Sequence, residues 1–109
     1  MNIIIVGCGK VGLTLAEQLC QENHAITLID TDQERLDDAV NSIDVQAVLG
    51  NGTSYQTQVE AGVRDADLLI AVTDQDELNM LSCLIARKVG NCQTIARVRN
   101  PGYYADIHY

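Results

Sequence analysis

Short aliphatic runs alternate with stretches of helical periodicity along almost the whole chain, and this alternation limits the fold more than any single motif does. Ile3-Ile4-Ile5-Val6 is a β-branched run closed by glycine and reads as a buried parallel strand. Val11, Leu15 and Leu19 recur at helical spacing, which predicts a helix over residues 10–22, ended by Asn23. Residues 25–30 form a second strand. Thr31-Asp32-Gln33-Glu34 reads as a capping box with Thr31 as the cap, ahead of a short helix carrying Leu36 and Val40. Val45 to Leu49 is a third strand. The loop Gly50-Asn51-Gly52-Thr53-Ser54 follows, then a helix ending near Gly62. Leu68 to Val72 is a fourth strand. Asp74 with Glu77 reads as another capping box, opening a helix to about Val89, and Thr94 to Val98 is a fifth strand. Asn100-Pro101 breaks it, and the last residues read as the beginning of another helix.

Five strands alternating with helices across short loops predict an α/β fold. The expected architecture is a Rossmann-like, doubly wound parallel sheet of order 3-2-1-4-5 with helices on both faces. Residues 1–109 fit one domain. The chain stops just after the fifth strand, where this fold ordinarily continues, so a fragment of a longer protein is expected. With no Phe and no Trp, the core must be aliphatic.

Charge narrows the function. Seven basic against fifteen acidic residues give a net charge of −8. A nucleic-acid binder needs a basic footprint that this chain lacks overall, and an anionic bilayer is disfavoured for the same reason. No apolar run approaches the roughly 20 residues that span a membrane, so no direct membrane insertion is expected. Cys8, Cys20, Cys83 and Cys92 form no C-x-x-C pair and have no His at metal-ligand spacing. They read as reduced thiols of a cytoplasmic protein, with no metal site.

Gly7-Cys8-Gly9-Lys10-Val11-Gly12 is a G-x-G-x-x-G motif set between a strand and a helix, the context it requires. Gly7 permits the tight turn, Gly9 lets a pyrophosphate approach, and Gly12 lets the helix pack on the sheet. The helix N-terminus supplies free N–H groups for phosphate. Cys8 contributes its backbone. Lys10 is either a phosphate contact or a solvated surface lysine. Asp30, ending the second strand, can accept hydrogen bonds from an adenosine ribose and would repel a 2′-phosphate, which favours NAD over NADP. Its plainer reading is a helix cap, a role assigned here to Thr31.

Further contacts are expected where the third, fourth and fifth strands end. Thr53 is the side chain chosen from the 50–54 loop, with Thr53 or Ser54 as a plain helix cap the alternative. Thr73 and Asp74 leave the fourth strand beside the first and can reach the ligand's far end, or cap the next helix. Arg97 and Arg99 read as one face of the fifth strand, with Arg97 the candidate phosphate contact and a nearby carboxylate the alternative partner. On the helix after Gln75, Leu78, Leu81, Ile85 and Val89 form one stripe, expected to face the sheet. Met80, Cys83 and Leu84 form a second apolar face, expected to be buried elsewhere. His24 reads as an exposed loop residue, and His108 lies in the tail.

Taken together, several segments carry a resemblance. They are Ile3 to Gly12, Ile29-Asp30-Thr31-Asp32 with Arg35, Gly50-Asn51-Gly52-Thr53, Ala61-Gly62-Val63, and Ala66-Asp67 leading into Ala71-Val72-Thr73. Asp76-Glu77-Leu78-Asn79-Met80 and Ile95-Ala96-Arg97-Val98-Arg99 complete the set and are the most specific. Over nearly its whole length the chain resembles the N-terminal RCK (KTN, or TrkA-N) domains of Trk-system potassium uptake regulators. The resemblance implies a cytoplasmic regulatory domain that binds NAD(H), or ATP/ADP at the same site, without catalysis. It implies assembly with itself into a dimer or larger ring and control of a membrane potassium transporter or channel. Nucleotide contacts would fall on Gly7 through Val11, Asp30, Thr73, Asp74 and Arg97, and the helix after Asp74 would lie in an assembly interface. Two other classes compete. The cofactor domain of an NAD-dependent dehydrogenase would need a catalytic constellation that no residues here form. A DNA-binding redox sensor conflicts with the charge.

Overall fold

The computed structural model describes residues 1–105; His108 and Tyr109 lie outside the described residues. Five parallel strands form one sheet of order β3-β2-β1-β4-β5, the order expected from the sequence. They are β1 (Asn2–Val6), β2 (Ala25–Asp30), β3 (Gln46–Leu49), β4 (Leu68–Ala71) and β5 (Gln93–Ala96). The helices are α1 (Lys10–Gln21), α2 (Gln33–Ser42), α3 (Tyr55–Glu60), α4 (Asp76–Val89) and α5 (Pro101–Ala105), with a 3-10 turn at Val63–Asp65 that the sequence reading lacked.

Side chains alternate across a strand, so the aliphatic run of β1 supplies both faces of the sheet. Ile3 and Ile5 join Ala16, Ile26, Leu28, Leu36 and Ala39 in the layer under α1 and α2. Ile4 and Val6 join Ile29, Leu69, Ala71, Cys83 and Ala86 in the layer that includes α4. Each fully buried aliphatic side chain contributes about 1.5–3 kcal/mol relative to its exposed state. β1 is central and pairs with β2 and β4, with Val6 opposite both Ile29 and Ala71. The chain therefore leaves β1 toward α1 and leaves β4 toward α4 on opposite faces. A crevice opens between the two exits, at the carboxyl ends of the strands.

Three local readings need correction. The cap of α2 is Asp32, not Thr31: its carboxylate accepts the Glu34 and Arg35 N–H groups. The carboxylate reaches these amides in the geometry usual for an N-cap. At α4 the N-cap is Gln75 and no side chain caps it, so Asp74 does not cap this helix. The sheet-facing side of α4 is Asp76, Asn79, Ser82, Cys83 and Ala86, whereas Leu81 and Leu84 are 46% and 53% exposed. The stripe expected to face the sheet does so in part: Leu78 and Val89 pack against the core, while Leu81 is exposed and Cys83, expected on the opposite face, is buried there. The rest of the space between α4 and the sheet is filled by small and hydrogen-bonded side chains. Cys8, Cys20, Cys83 and Cys92 are free thiols, as expected, and no described helix is long and apolar enough to cross a membrane.

Candidate functional site

The site begins with the turn from β1 into α1. Gly7 has φ of +107°, which side-chain-bearing residues rarely adopt. A Cβ on Gly12 would lie 1.8 Å from the Gly7 carbonyl oxygen, so the first turn of α1 rests directly on the loop. The N-cap of α1 is Gly9, with no side-chain cap and no acidic residue in the first turn. The first N–H groups of α1 are thus left for another acceptor, beside the positive end of the helix dipole.

Asp30 stands at the end of β2 next to this loop. Its Oδ2 accepts the Cys8 N–H at 2.7 Å and its Oδ1 accepts the Asp32 N–H at 2.9 Å. The carboxylate is fixed in place, and each oxygen keeps a lone pair for a further donor such as a hydroxyl. The Cys8 thiol is buried behind it. Burial, and then the Asp30 charge, push the Cys8 pKa above the ordinary thiol value, which disfavours the reactive thiolate.

Across the crevice, Asn79 on α4 organises the exits of β4 and β5. This side chain is fully buried. Its Oδ1 accepts the Thr73 N–H at 2.9 Å and the Thr73 hydroxyl at 2.7 Å. Its Nδ2 donates to the Thr73 carbonyl at 3.0 Å and to the Arg97 carbonyl at 2.9 Å. Arg97 continues the ladder beyond β5, donating its N–H to the Ala71 carbonyl. Among the described residues, no carboxylate lies within ion-pair distance of its guanidinium, which makes one long hydrogen bond of 3.4 Å to the Val72 carbonyl.

These parts enclose a cleft of about 470 Å³. Gly7, Gly9, Lys10, Val11, Asp30, Thr73, Asp74 and Arg97 all line it. Cys8 and Gly12 do not; they act from behind the lining, through the Cys8 N–H and the close packing at Gly12. Thr53 is also absent from the lining, because its hydroxyl and its N–H both donate to Asn51 Oδ1. Ser54 caps α3, and Gly50, Asn51 and Gly52 form the wall instead. β5 ends at Ala96, so Arg97 and Arg99 lie beyond it and share no strand face; the Arg99 guanidinium donates to the Asp74 carbonyl at 2.8 Å, outside the cleft lining. His24 is half-buried at the other end of the sheet, where its Nδ1 meets the Met1 ammonium at 3.0 Å.

Arg35 lines the cleft as well, although the residue reading gave it no contact. It lies in the first turn of α2, 3.7 Å from the Asp32 carboxylate. Helical side chains lean toward the N-terminus of their helix, which carries Arg35 back toward Asp30 and was the available signal. Lys10, Arg35 and Arg97, three of the chain's seven cations, therefore converge on one cleft in a chain of net charge −8. Val6, Val11, Ile29, Val72 and Leu78 supply apolar wall. The arrangement suits an anion carried on a partly apolar ligand, with a carboxylate placed for hydroxyl groups.

Residues 3–108 match the family model of the TrkA-N domain. The chain is 46% identical over 104 residues to the Trk system potassium uptake protein TrkA of Halomonas elongata, covering 94% of this chain and 23% of that protein. It is 40% identical over 103 residues to a TrkA homolog of Methanothermobacter thermautotrophicus, covering 94% of this chain and 48% of the homolog. The chain thus spans about a quarter to a half of the length of these relatives. Among solved structures, the TrkA-N domain of the Escherichia coli inner membrane protein ybaL superposes with a TM-score of 0.87 at 27% identity, over 95% of this chain and 77% of that one. The GsuK channel bound to NAD gives 0.83 at 23% identity, over 95% and 19%. The AMP-bound Kef C-terminal domain of Shewanella denitrificans gives 0.81 at 19% identity, over 98% and 67%. The last two share the fold.

Proposed function

The chain belongs to the TrkA-N domain family, and from that premise we propose that it is a nucleotide-binding regulatory domain of a potassium transport system. The observation that carries this reading is the convergence in one cleft of the uncapped α1 N-terminus, the fixed Asp30 carboxylate, and Lys10, Arg35 and Arg97. Asp30 would take the ribose hydroxyls, and the Gly7–Gly12 loop with Cys8 and Lys10 would take the pyrophosphate. Thr73, Asp74 and Arg97 would meet the far end of the ligand, while Thr53 would act only by shaping the 50–52 wall. NAD(H) is the first candidate, since the carboxylate disfavours a 2′-phosphate. ATP or ADP could use the same ribose and phosphate contacts. The NAD in the GsuK structure and the AMP in the Kef structure support an adenine nucleotide on this fold.

Residues 1–109 form one domain in this reading, part of a longer protein. The domain acts at the cytoplasmic face of the membrane, controls a potassium transporter or channel, and catalyses no reaction. Binding would bias the partner only through unequal affinity for its two states. The outer side of α4, with exposed Leu81 and Leu84, would bury itself in a dimer or larger ring. Calorimetric titration with NADH, NAD, ATP, ADP and AMP tests the reading. Saturable one-site binding of at least one of them is expected, and binding of none would refute it.

A further inference from the structure

Gln58 lies on α3 and is fully buried, one of four buried polar residues among those described, with Asp76, Asn79 and Ser82. Its Nε2 donates to the Gly52 carbonyl at 2.7 Å and to the Ser82 carbonyl at 2.9 Å. Gly52 belongs to the loop that walls the cleft, and Ser82 sits in the middle of α4. One amide therefore ties the cleft wall to a long helix. The packing there is close as well: a Cβ on Gly52 would stand 2.3 Å from Val6 Cγ1 and 3.0 Å from Ser82 Oγ.

Stability alone accounts poorly for this amide. Gln58 Oε1 and Ser82 Oγ are both buried without a hydrogen-bond partner among the described residues. Burying an unsatisfied oxygen is unfavourable and offsets part of what the amide gains by satisfying the Gly52 carbonyl. The Ser82 carbonyl also lies inside a helix, where the backbone ladder already supplies a donor. What the amide adds is a fixed separation between Gly52 and α4.

We propose that Gln58 is a positioning residue that sets the 50–52 loop against α4 and so determines how firmly the cleft holds the adenosine end of its ligand. The inference rests on the nucleotide reading above. The loop stands beside Asp30, whose carbonyl accepts the Gly50 N–H at 2.9 Å. It thus borders the ribose and base, while the glycine loop and Arg97 hold phosphate without it. Loosening the loop weakens adenosine-bearing ligands and spares inorganic pyrophosphate.

The test compares the wild-type chain with Gln58→Met, a close match in shape that lacks the amide. Both are titrated with AMP, NADH and inorganic pyrophosphate, and amide exchange is followed at residues 52–54. Loss of the bridging hydrogen bonds should weaken AMP and NADH by about fivefold or more, leave pyrophosphate within about twofold, and speed exchange in the loop while β1 is unchanged. Ser82→Ala, which keeps both carbonyl bonds, should leave all three affinities alone. Equal affinities in wild type and Gln58→Met overturn the inference alone, as does an equal loss for all three ligands or an equal loss in Ser82→Ala. A wild-type chain that binds none of AMP, NADH, NAD, ATP and ADP overturns the nucleotide reading and the inference with it, and one that binds only NAD, ATP or ADP is compared with that nucleotide in place of AMP and NADH. Gln58→Leu gives the same readout should Gln58→Met not fold.

Discussion

Asn79 donates its side-chain amide to the Arg97 carbonyl at 2.9 Å, a bond that joins the first turn of α4 to the chain just past β5. With the three bonds to Thr73, one buried side chain holds the exits of two strands at the cleft. Replacing it by Ala strands several buried backbone groups, each worth about 1–3 kcal/mol when left unsatisfied. Asn79→Ala should lose about 3 kcal/mol of stability in urea denaturation. It should also weaken binding at the cleft, because Thr73 and Arg97 are no longer held in place. A midpoint unchanged from wild type would remove Asn79 from this role.

Asp30 has a structural and a proposed functional duty, and ligands with and without a ribose distinguish the two. Its carboxylate organises the glycine loop through Cys8 and the start of α2 through Asp32. Asp30→Asn keeps the shape but loses the charge, and because both oxygens accept a backbone N–H, its amide nitrogen displaces one of those two bonds. Calorimetry should show adenine nucleotides weakened by about tenfold or more, with inorganic pyrophosphate affected far less. Unchanged nucleotide affinity in this variant would take Asp30 out of the ribose contact.

Arg97 is expected to serve phosphate. Arg97→Gln should weaken ADP, NAD and pyrophosphate by about tenfold while adenosine binds as before. The salt dependence of ADP binding should flatten, since one cation has been removed. An equal loss for adenosine and ADP would mean that Arg97 acts through the fold.

The legible part of the fold was the part set by periodicity. The Ile3–Val6 run, the spacing of Val11, Leu15 and Leu19, and the short loops fixed sheet order and helix placement because a parallel sheet buries both faces of its central strands. The glycine motif and Asp30 were legible for a related reason: they need only their own turn and the end of the adjacent strand. Contacts between elements distant in sequence were not. Asn79 on Thr73 and Arg97, Gln58 on Ser82, and Arg99 on Asp74 depend on how α3, α4 and the end of β5 pack together, and no local spacing encodes that. On α4, helical spacing placed the sheet-facing stripe only in part. Leu78 and Val89 do pack on the core, but Leu81 of the same stripe is exposed, and Asn79, Ser82 and Cys83 occupy the sheet side, where close approach and, for Asn79, hydrogen bonds to a strand end are available.

Gly12 tests how closely helix and loop must meet. An added methyl would overlap the Gly7 carbonyl at 1.8 Å, and that oxygen belongs to the backbone, so relief requires moving α1 or the loop. Gly12→Ala should destabilise the fold by about 3 kcal/mol and reduce nucleotide binding along with it. A stable variant with wild-type affinity would show that α1 can shift without disturbing the site.

Asp76 should make stability depend on pH at the acid end. Its carboxylate accepts the Arg99 N–H at 3.0 Å and the Asn100 N–H at 2.8 Å, which fixes the turn that leads into α5. The Arg99 N–H, then the Asn100 N–H, hold the carboxyl below its ordinary range, against an opposing push from burial. A folded-state pKa below the unfolded value means that the ionised group stabilises the fold above the unfolded value, and that this contribution disappears as pH falls through the folded value. Wild-type stability should therefore begin to drop below about pH 4. Asp76→Asn cannot ionise, so it should be less stable at pH 7 and show a flatter decline between about pH 5 and pH 2. Urea midpoints measured at intervals across that range decide the matter: curves that run parallel for the two proteins would mean that Asp76 contributes nothing to the acid transition.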